Sequence, residues 1–287
     1  MTTGRTIKQP VLGEPLKLWS GGEGSFPKPG ELVEIKGGNH LTQTDRRIWN
    51  LMMVNAWPRI AEPVEHVIKK SILKGDRNGN ERLADTVERL MTTLVEITVQ
   101  RDGKPARRKV QLLGPTDEHR DDSGNLYYRF LPELISIIKQ SDHWARLHAQ
   151  VMLAMSSKYS LSLYEMIQKR AGYIHKTQDR FTLEEFREYL GVPEGKLMRY
   201  PDLRRYCIEP AVTEVSALSD FHVRIEPVKQ ARAVVGVEVF WSPKDEQGLK
   251  ETYAELQRHK VGRKARIRGN VELVQPSLNL DGPKAHI

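Results

Sequence analysis

The feature that most constrains this 287-residue chain is a change of hydrophobic period near residue 220, after three successive helical segments. From about Lys158 to Arg170, apolar side chains recur at helical spacing, with Tyr159, Leu163, Tyr164, Ile167 and Ala171 facing inward. The run Phe181-Thr-Leu-Glu-Glu-Phe186 starts a second helix. Thr182 can cap the amide of Glu185, Glu185 can reach back, and Phe181 can staple onto Phe186. Gly191 stands where a helix-ending glycine belongs. A third helix is expected from about Pro201 to Leu218. Alternation then takes over: Phe221, Val223 and Ile225 form a strand, Lys229 to Arg232 a loop, and Val235, Val237, Val239 and Trp241 a return strand.

The first half follows the same order less cleanly. Thr42-x-x-Asp45 starts a helix carrying Ile48, Leu51 and Met52, and a second run from about Asn80 to Leu94 carries Leu83, Val87, Leu90 and Met91. Val95, Ile97 and Val99 alternate, Asp102-Gly103 turns the chain, and Val110 and Leu112 return. Leu126, Tyr128 and Phe130 make a further strand before a helix from about Pro132 to Lys139. Three helices and a two-stranded ribbon are the order of a winged helix. The pattern therefore predicts an α+β, mainly helical fold of two tandem winged-helix domains. The Gly-, Pro- and Lys-rich residues 1–38 read as an irregular arm, and residues 39–155 as the first domain. The second domain is expected over 156–243, followed over 244–287 by an amphipathic helix within 244–260 and a basic tail, of which the final VQPSLNLDGPKAHI is loose.

Lys and Arg number 45 against 37 Asp and Glu, a net charge of +8 that favours an anionic partner such as DNA. No apolar run is long enough to span a membrane, and the N-terminus lacks the apolar core of a secretory signal. The single cysteine, Cys207, suits a reducing cytoplasm. No phosphate-binding loop is present, and the histidines lack ligand spacing, so neither catalysis nor a cofactor or metal is expected. Gly21-Gly22-Glu23-Gly24 reads as linker. Tyr127-Tyr128 has the residue type of a DNA-nicking nucleophile, yet alternation places Tyr128 in the core and Tyr127 outward. The acidic stretch Asp117 to Asp122 reads as a solvated loop.

The third helix of the second half concentrates the basic residues. Leu203, Cys207, Ala211, Val215 and Leu218 form its core stripe. Arg205 projects nearly opposite, and Arg199 precedes the helix on an exposed side, where arginines can bond guanine O6 and N7. Arg204 falls near the phase of Ile208, so it is expected to snorkel from the core toward a phosphate. Lys229 and Arg232 at the ribbon tip suit either a phosphate contact or an ordinary polar turn. Lys158 and Lys176, at the ends of the first helix of this half, are weaker candidates. The run Arg258 to Arg268 holds six Lys or Arg and no acid, as nonspecific DNA affinity or as a solvated charge run.

These residues also carry a resemblance. SKYSLSLYE at 157–165 is similar to the SKY-x-x-x-LYE signature of the initiator replication proteins of iteron plasmids. YPDLRRYCIEPAVTEV at 200–215 resembles that family's F-x-x-LKRRVLEPAVKEI helix. The resemblance covers roughly 41–241 and implies two winged-helix domains, with monomers binding directly repeated double-stranded origin sites through the second. It also implies accessory DNA contact and homodimerisation through the first domain, autorepression by the dimer, and host initiator, replicative helicase and chaperones as partners. The family's base-reading arginines fall on Arg199 and Arg205, with Arg204 beside them. Tyr206 stands where relatives often carry a third basic residue, so the site sequence is not carried over. A winged-helix transcriptional regulator without replication activity would use the same DNA-binding residues; only the resemblance separates the two.

Overall fold

The computed structural model describes residues 12, 24–74, 83–119, 124–173 and 175–269. The described elements begin with strand β1 (Ser25–Pro29) and the helical turn α1 (Gly30–Val33), then helix α2 (Gln43–Ala56), strand β2 (His66–Lys69) and helices α3 (Lys70–Lys74) and α4 (Leu83–Thr92). Strands β3 (Leu94–Arg101) and β4 (Lys104–Gln111) form a ribbon. Short strands β5 (Thr116–Asp117) and β6 (Asn125–Tyr128) follow, then helix α5 (Pro132–Gln140), strand β7 (Trp144–His148) and helix α6 (Ala149–Ala154).

The second half comprises α7 (Lys158–Arg170), β8 (Gln178–Thr182), α8 (Leu183–Leu190), α9 (Tyr200–Leu203), a wide helical turn over Arg204–Ile208, and α10 (Glu209–Leu218). The ribbon β9 (Phe221–Gln230) and β10 (Ala233–Pro243) joins β8 in a sheet of order β8-β10-β9. Helices α11 (Glu246–Gln257) and α12 (Arg263–Ile267) close the described chain.

Local chemistry explains the helix starts. Thr42 accepts from the Asp45 amide at 3.2 Å while the Asp45 carboxylate accepts from the Thr42 amide at 2.8 Å. Thr182 and Glu185 make the same reciprocal pair at 3.1 and 3.0 Å, with the Phe181 and Phe186 rings 5.8 Å apart. Gly191 ends α8 with φ at 71°, a left-handed value that a Cβ would strain.

The arm expectation needs correction. Residues 25–33 are part of the folded body, because β1 pairs antiparallel with β7 across Phe26↔Leu147, and Phe26 and Leu32 are fully buried. Their alternation was masked because one inward position is a lysine. Lys28 is buried, and its ammonium donates to Glu165 at 2.7 Å and to Asn50 at 3.0 Å. Asn50 in turn donates to the other Glu165 oxygen at 2.7 Å. Burial pulls the Lys28 ammonium below its ordinary pKa, and Glu165 opposes that pull. The strands β1, β2, β7 and β8 and the helix α12 were not foreseen, since each is short and takes its partner from elsewhere in the chain.

This network lies at the centre of one continuous core. Helix α7 packs on β7, α1 and α2 on one side and on α8 and α10 on the other. The expected division between residues 155 and 156 falls in the link after α6, yet the packed interior runs across it. A second tie lies at the far end of α7, where Arg170 bonds Asp179 at 2.7 Å and also pairs with Glu34.

Glu165→Gln leaves the Lys28 ammonium without a counter-charge and should lower unfolding free energy by roughly 3–5 kcal/mol. Combining it with Lys28→Met should restore a large part of the loss. Urea unfolding of the three variants beside the parent tests this, and equal stability of the single variant and the parent would refute it.

Candidate nucleic-acid interface

The helical stretch 200–218 has one clamped face and one open face. Leu203, Cys207, Ala211, Val215 and Leu218 are all fully buried. Four of these positions step by four residues, which on a regular helix would drift around the axis by about 40° at each step. The wide turn over Arg204–Ile208 absorbs the drift: the Glu209 amide donates to the Arg204 carbonyl, five residues back. Pro210 gives the physical cause, since it has no N–H to offer the Tyr206 carbonyl and its ring crowds that group.

The consequence corrects the expectation for Arg204. On a regular helix its phase approaches Ile208 and the core; on the widened turn Arg204, Arg205 and Tyr206 are three consecutive exposed residues between buried Leu203 and Cys207. Arg204 bonds Glu209 at 2.7 Å. The Arg205 guanidinium lies 5.3 Å from the Tyr206 ring centre, which orients a long side chain without neutralising it. Arg199 caps the start of the stretch, its side chain 80% exposed and 3.9 Å from Asp202. Tyr206 thus supports an arginine and adds an exposed aromatic face.

Before this helix, the loop 191–199 is held by a residue that sequence reasoning missed. Arg187 donates to the Leu197 carbonyl at 2.6 Å and also to that of Lys196. Gly195 and Leu197 both take positive φ, 72° and 50°, so the loop is tightly bent and needs that anchor. The bend presents Lys196, Met198 and Arg199 to solvent beside Arg205 in sequence.

Lys229 and Arg232 sit at the tip of the β9–β10 ribbon, exposed, with Ala231 turning the chain at φ 52°. Neither has an acidic partner among the described residues. Lys158 is placed differently. Its ammonium donates to the carbonyls of Asn39 at 2.6 Å and Leu41 at 3.3 Å, and burial, with Arg46 nearby, pulls it down to about 8. It ties α7 to the first half and is not part of the open basic face. Lys176 pairs with Asp179 at 2.9 Å.

The first half also carries an open basic ribbon. Arg101, Lys104, Arg107 and Lys109 on β3 and β4 are exposed. Three of them lie in the run KPARRKV, whose charge carries no helical period. Tyr128, in contrast, is buried and donates to the Met52 carbonyl at 2.7 Å and to Asn55 at 2.8 Å. Burial raises its hydroxyl well above the usual phenol range, the opposite of an activated nucleophile. The acidic stretch 117–122 lies partly outside the described residues, and among those described no cluster fits a metal ion. No described helix is long and apolar enough to cross a membrane.

Two winged helices sharing a core, one with an open arginine-bearing helix, define a tandem winged-helix protein. The model of the first winged helix of the initiator replication proteins matches residues 27–168, and that of the second matches 182–241. The chain belongs to this family, the initiator Rep proteins of plasmids. No curated protein matches the sequence at a significant level. Among solved structures, the Pi initiator protein in complex with iteron DNA is 17% identical with a TM-score of 0.55, covering 77% of this chain and 98% of its own. Domains 2–3 of RctB are 10% identical with a TM-score of 0.40, covering 72% and 84% respectively.

Cys207 reports on the clamped face. Burial pushes its thiol up to about 12, so almost no thiolate forms in mildly alkaline buffer. An aromatic disulfide reagent should leave the native protein unlabelled and titrate one thiol in denaturant. Rapid native labelling would mean that the 200–218 stretch is not held as described.

Proposed function

We propose that this chain initiates plasmid replication by reading directly repeated duplex sites with the 200–218 helix. The observation that carries the proposal is the outward triplet Arg204-Arg205-Tyr206 on a helix whose opposite face is locked into the core. Arg199 and Arg205 are the base-reading side chains, each able to donate two bonds to guanine. Arg204, steered by Glu209, and Tyr206 flank them, while Lys229 and Arg232 meet the neighbouring phosphates. The β3–β4 ribbon makes the accessory contact of the first domain. That the Pi initiator was crystallised with iteron DNA supports this reading.

Arrayed monomers distort each repeat at a cost on the order of 1–6 kcal/mol, offset by added contacts. The strain helps open an adjacent A·T-rich segment in the host cytoplasm, where host initiator and helicase load with chaperone assistance. The dimer represses the gene. The Val95–Val99 strand is apolar enough to pack across a two-fold axis, but Val95 and Ile97 are buried within their own half. One available edge is β2, which pairs on one side only and exposes Val67 at 50% and, just beyond it, Ile72 at 39%. A regulator without replication activity remains the competing reading. A circle carrying the gene, its flanking repeats and no other origin separates them by replicating or failing to replicate.

Arg205→Ala should weaken binding to the matched repeat by roughly 1–3 kcal/mol and relax preference at one or two base pairs. Equal loss on a scrambled duplex would make Arg205 a phosphate contact instead. Lys229→Ala and Arg232→Ala should weaken all sequences alike, each lowering the salt slope by about one unit. Unchanged slopes would leave the ribbon tip as a bare turn. Val67→Glu should shift the full-length protein toward monomer in sedimentation across a concentration series, and an unshifted dimer would move the contact elsewhere.

A further inference from the structure

The chain continues past the second winged helix, and residues 244–269 are folded. Asp245 caps α11 by accepting from the Gly248 amide at 2.8 Å. Thr252 is buried against the Ser219 carbonyl, so α11 lies along α10 and also touches α6. The return into α12 is organised by one carboxylate. Glu255 receives Arg266 at 2.8 Å and Arg263 at 3.3 Å, and these two arginines hold it below the usual carboxylate range. Arg263 is itself buried and donates to the carbonyls of Glu255, Leu256 and Arg258, closing the end of α11. Arg266 donates further to the carbonyls of Val261 and His259 at 2.9 and 2.8 Å.

Two of the six basic residues in 258–268 are therefore consumed in building the turn, and Arg258 stands 3.6 Å from the same carboxylate. The remaining three, Lys260, Lys264 and Arg268, are spaced by four, exposed, and without an acidic partner among the described residues. The run was expected either to add nonspecific DNA affinity or to be a solvated charge run. Its cations are displayed from a pinned scaffold, and α12 packs against α10, the continuation of the reading helix. A solvated charge run loses its entropy when it binds; cations already held in place lose less.

We propose that Lys260, Lys264 and Arg268 form a third contact to duplex DNA, gripping phosphates beyond those met by the two winged helices. The spacing matches no base-reading geometry, and the three groups are point or fork donors suited to phosphate oxygens, so the contact adds affinity and footprint without sequence preference. This inference rests on the DNA-binding reading above.

The test uses the full chain with Lys260→Ala, Lys264→Ala and Arg268→Ala combined, titrated on one matched repeat and on a scrambled duplex over a salt series. The slope of log K against log salt should fall by about 2–3 units, with Kd raised roughly tenfold or more at moderate salt on both duplexes. Backbone footprinting should lose protection at one end of the site. A charge-retaining variant, Lys260→Arg with Lys264→Arg and Arg268→Lys, should keep the parent slope and footprint. An unchanged slope in the alanine variant, with the parent binding its repeat normally, overturns this proposal alone and points to a different anionic partner for the face. A parent that shows no preference for the repeat would instead sink the reading on which it rests.

Discussion

Everything in this molecule is arranged around a lysine that has no business in a hydrophobic interior. Lys28 is tolerable there only because Glu165 and Asn50 meet its ammonium, and the Trp49 ring lies 4.8 Å beneath it. Such a pair gains little over apolar packing, but separating its members is costly, because each would be left as an uncompensated charge. Residues 137 positions apart are thereby bound to one arrangement. The strand that brings Lys28 and the helix that brings Glu165 must dock in a single register, which apolar contacts alone would not enforce.

The SKYSLSLYE segment acquires a physical meaning from this. Ser157 caps α7 by accepting from the Ser160 amide at 3.0 Å, and Lys158 fastens the helix to the Asn39 and Leu41 carbonyls. Tyr164 accepts from the His148 amide at 2.8 Å, and Glu165 receives Lys28. None of these groups faces the open basic surface; apart from the Ser157 cap, which is local to α7, they join α7 to the first half of the chain. Glu214 on α10 accepts from the Ser156 amide at 2.9 Å and so holds α10 to the link that precedes α7. Much of the two family signatures thus serves assembly, while the second also carries the exposed triplet Arg204-Arg205-Tyr206.

That division explains how α7 relates the two halves. It presents one side to the β1–β7 pair and the other to α8 and α10, so the 200–218 helix is mounted on the same element that carries the buried charge network. In the proposed DNA complex, a rigid mount spares the arginines much of the loss of freedom on binding. The wide turn at 204–208 then sets their direction, since one extra residue in that turn rotates the outward face relative to a regular helix.

The sequence by itself determined the helix starts, the reading helix, its buried stripe and both ribbons, because caps, staples and periodicity act over a few neighbouring residues. Arg199, Arg205 and Tyr206 were legible for that reason, as were the two winged-helix units. Only the tertiary structure decided the rest. Whether residues 25–33 were arm or core depended on a carboxylate more than a hundred positions away, and whether Lys158 faced DNA depended on carbonyls at 39 and 41. The phase of Arg204 depended on how the helix around Pro210 resolved a missing N–H against a fixed core. Lys260, Lys264 and Arg268, around α12, became a surface only once Glu255 had gathered two other arginines. In each case the deciding partner is distant in sequence or the deciding geometry is a departure from regularity, and neither leaves a periodic trace in the chain.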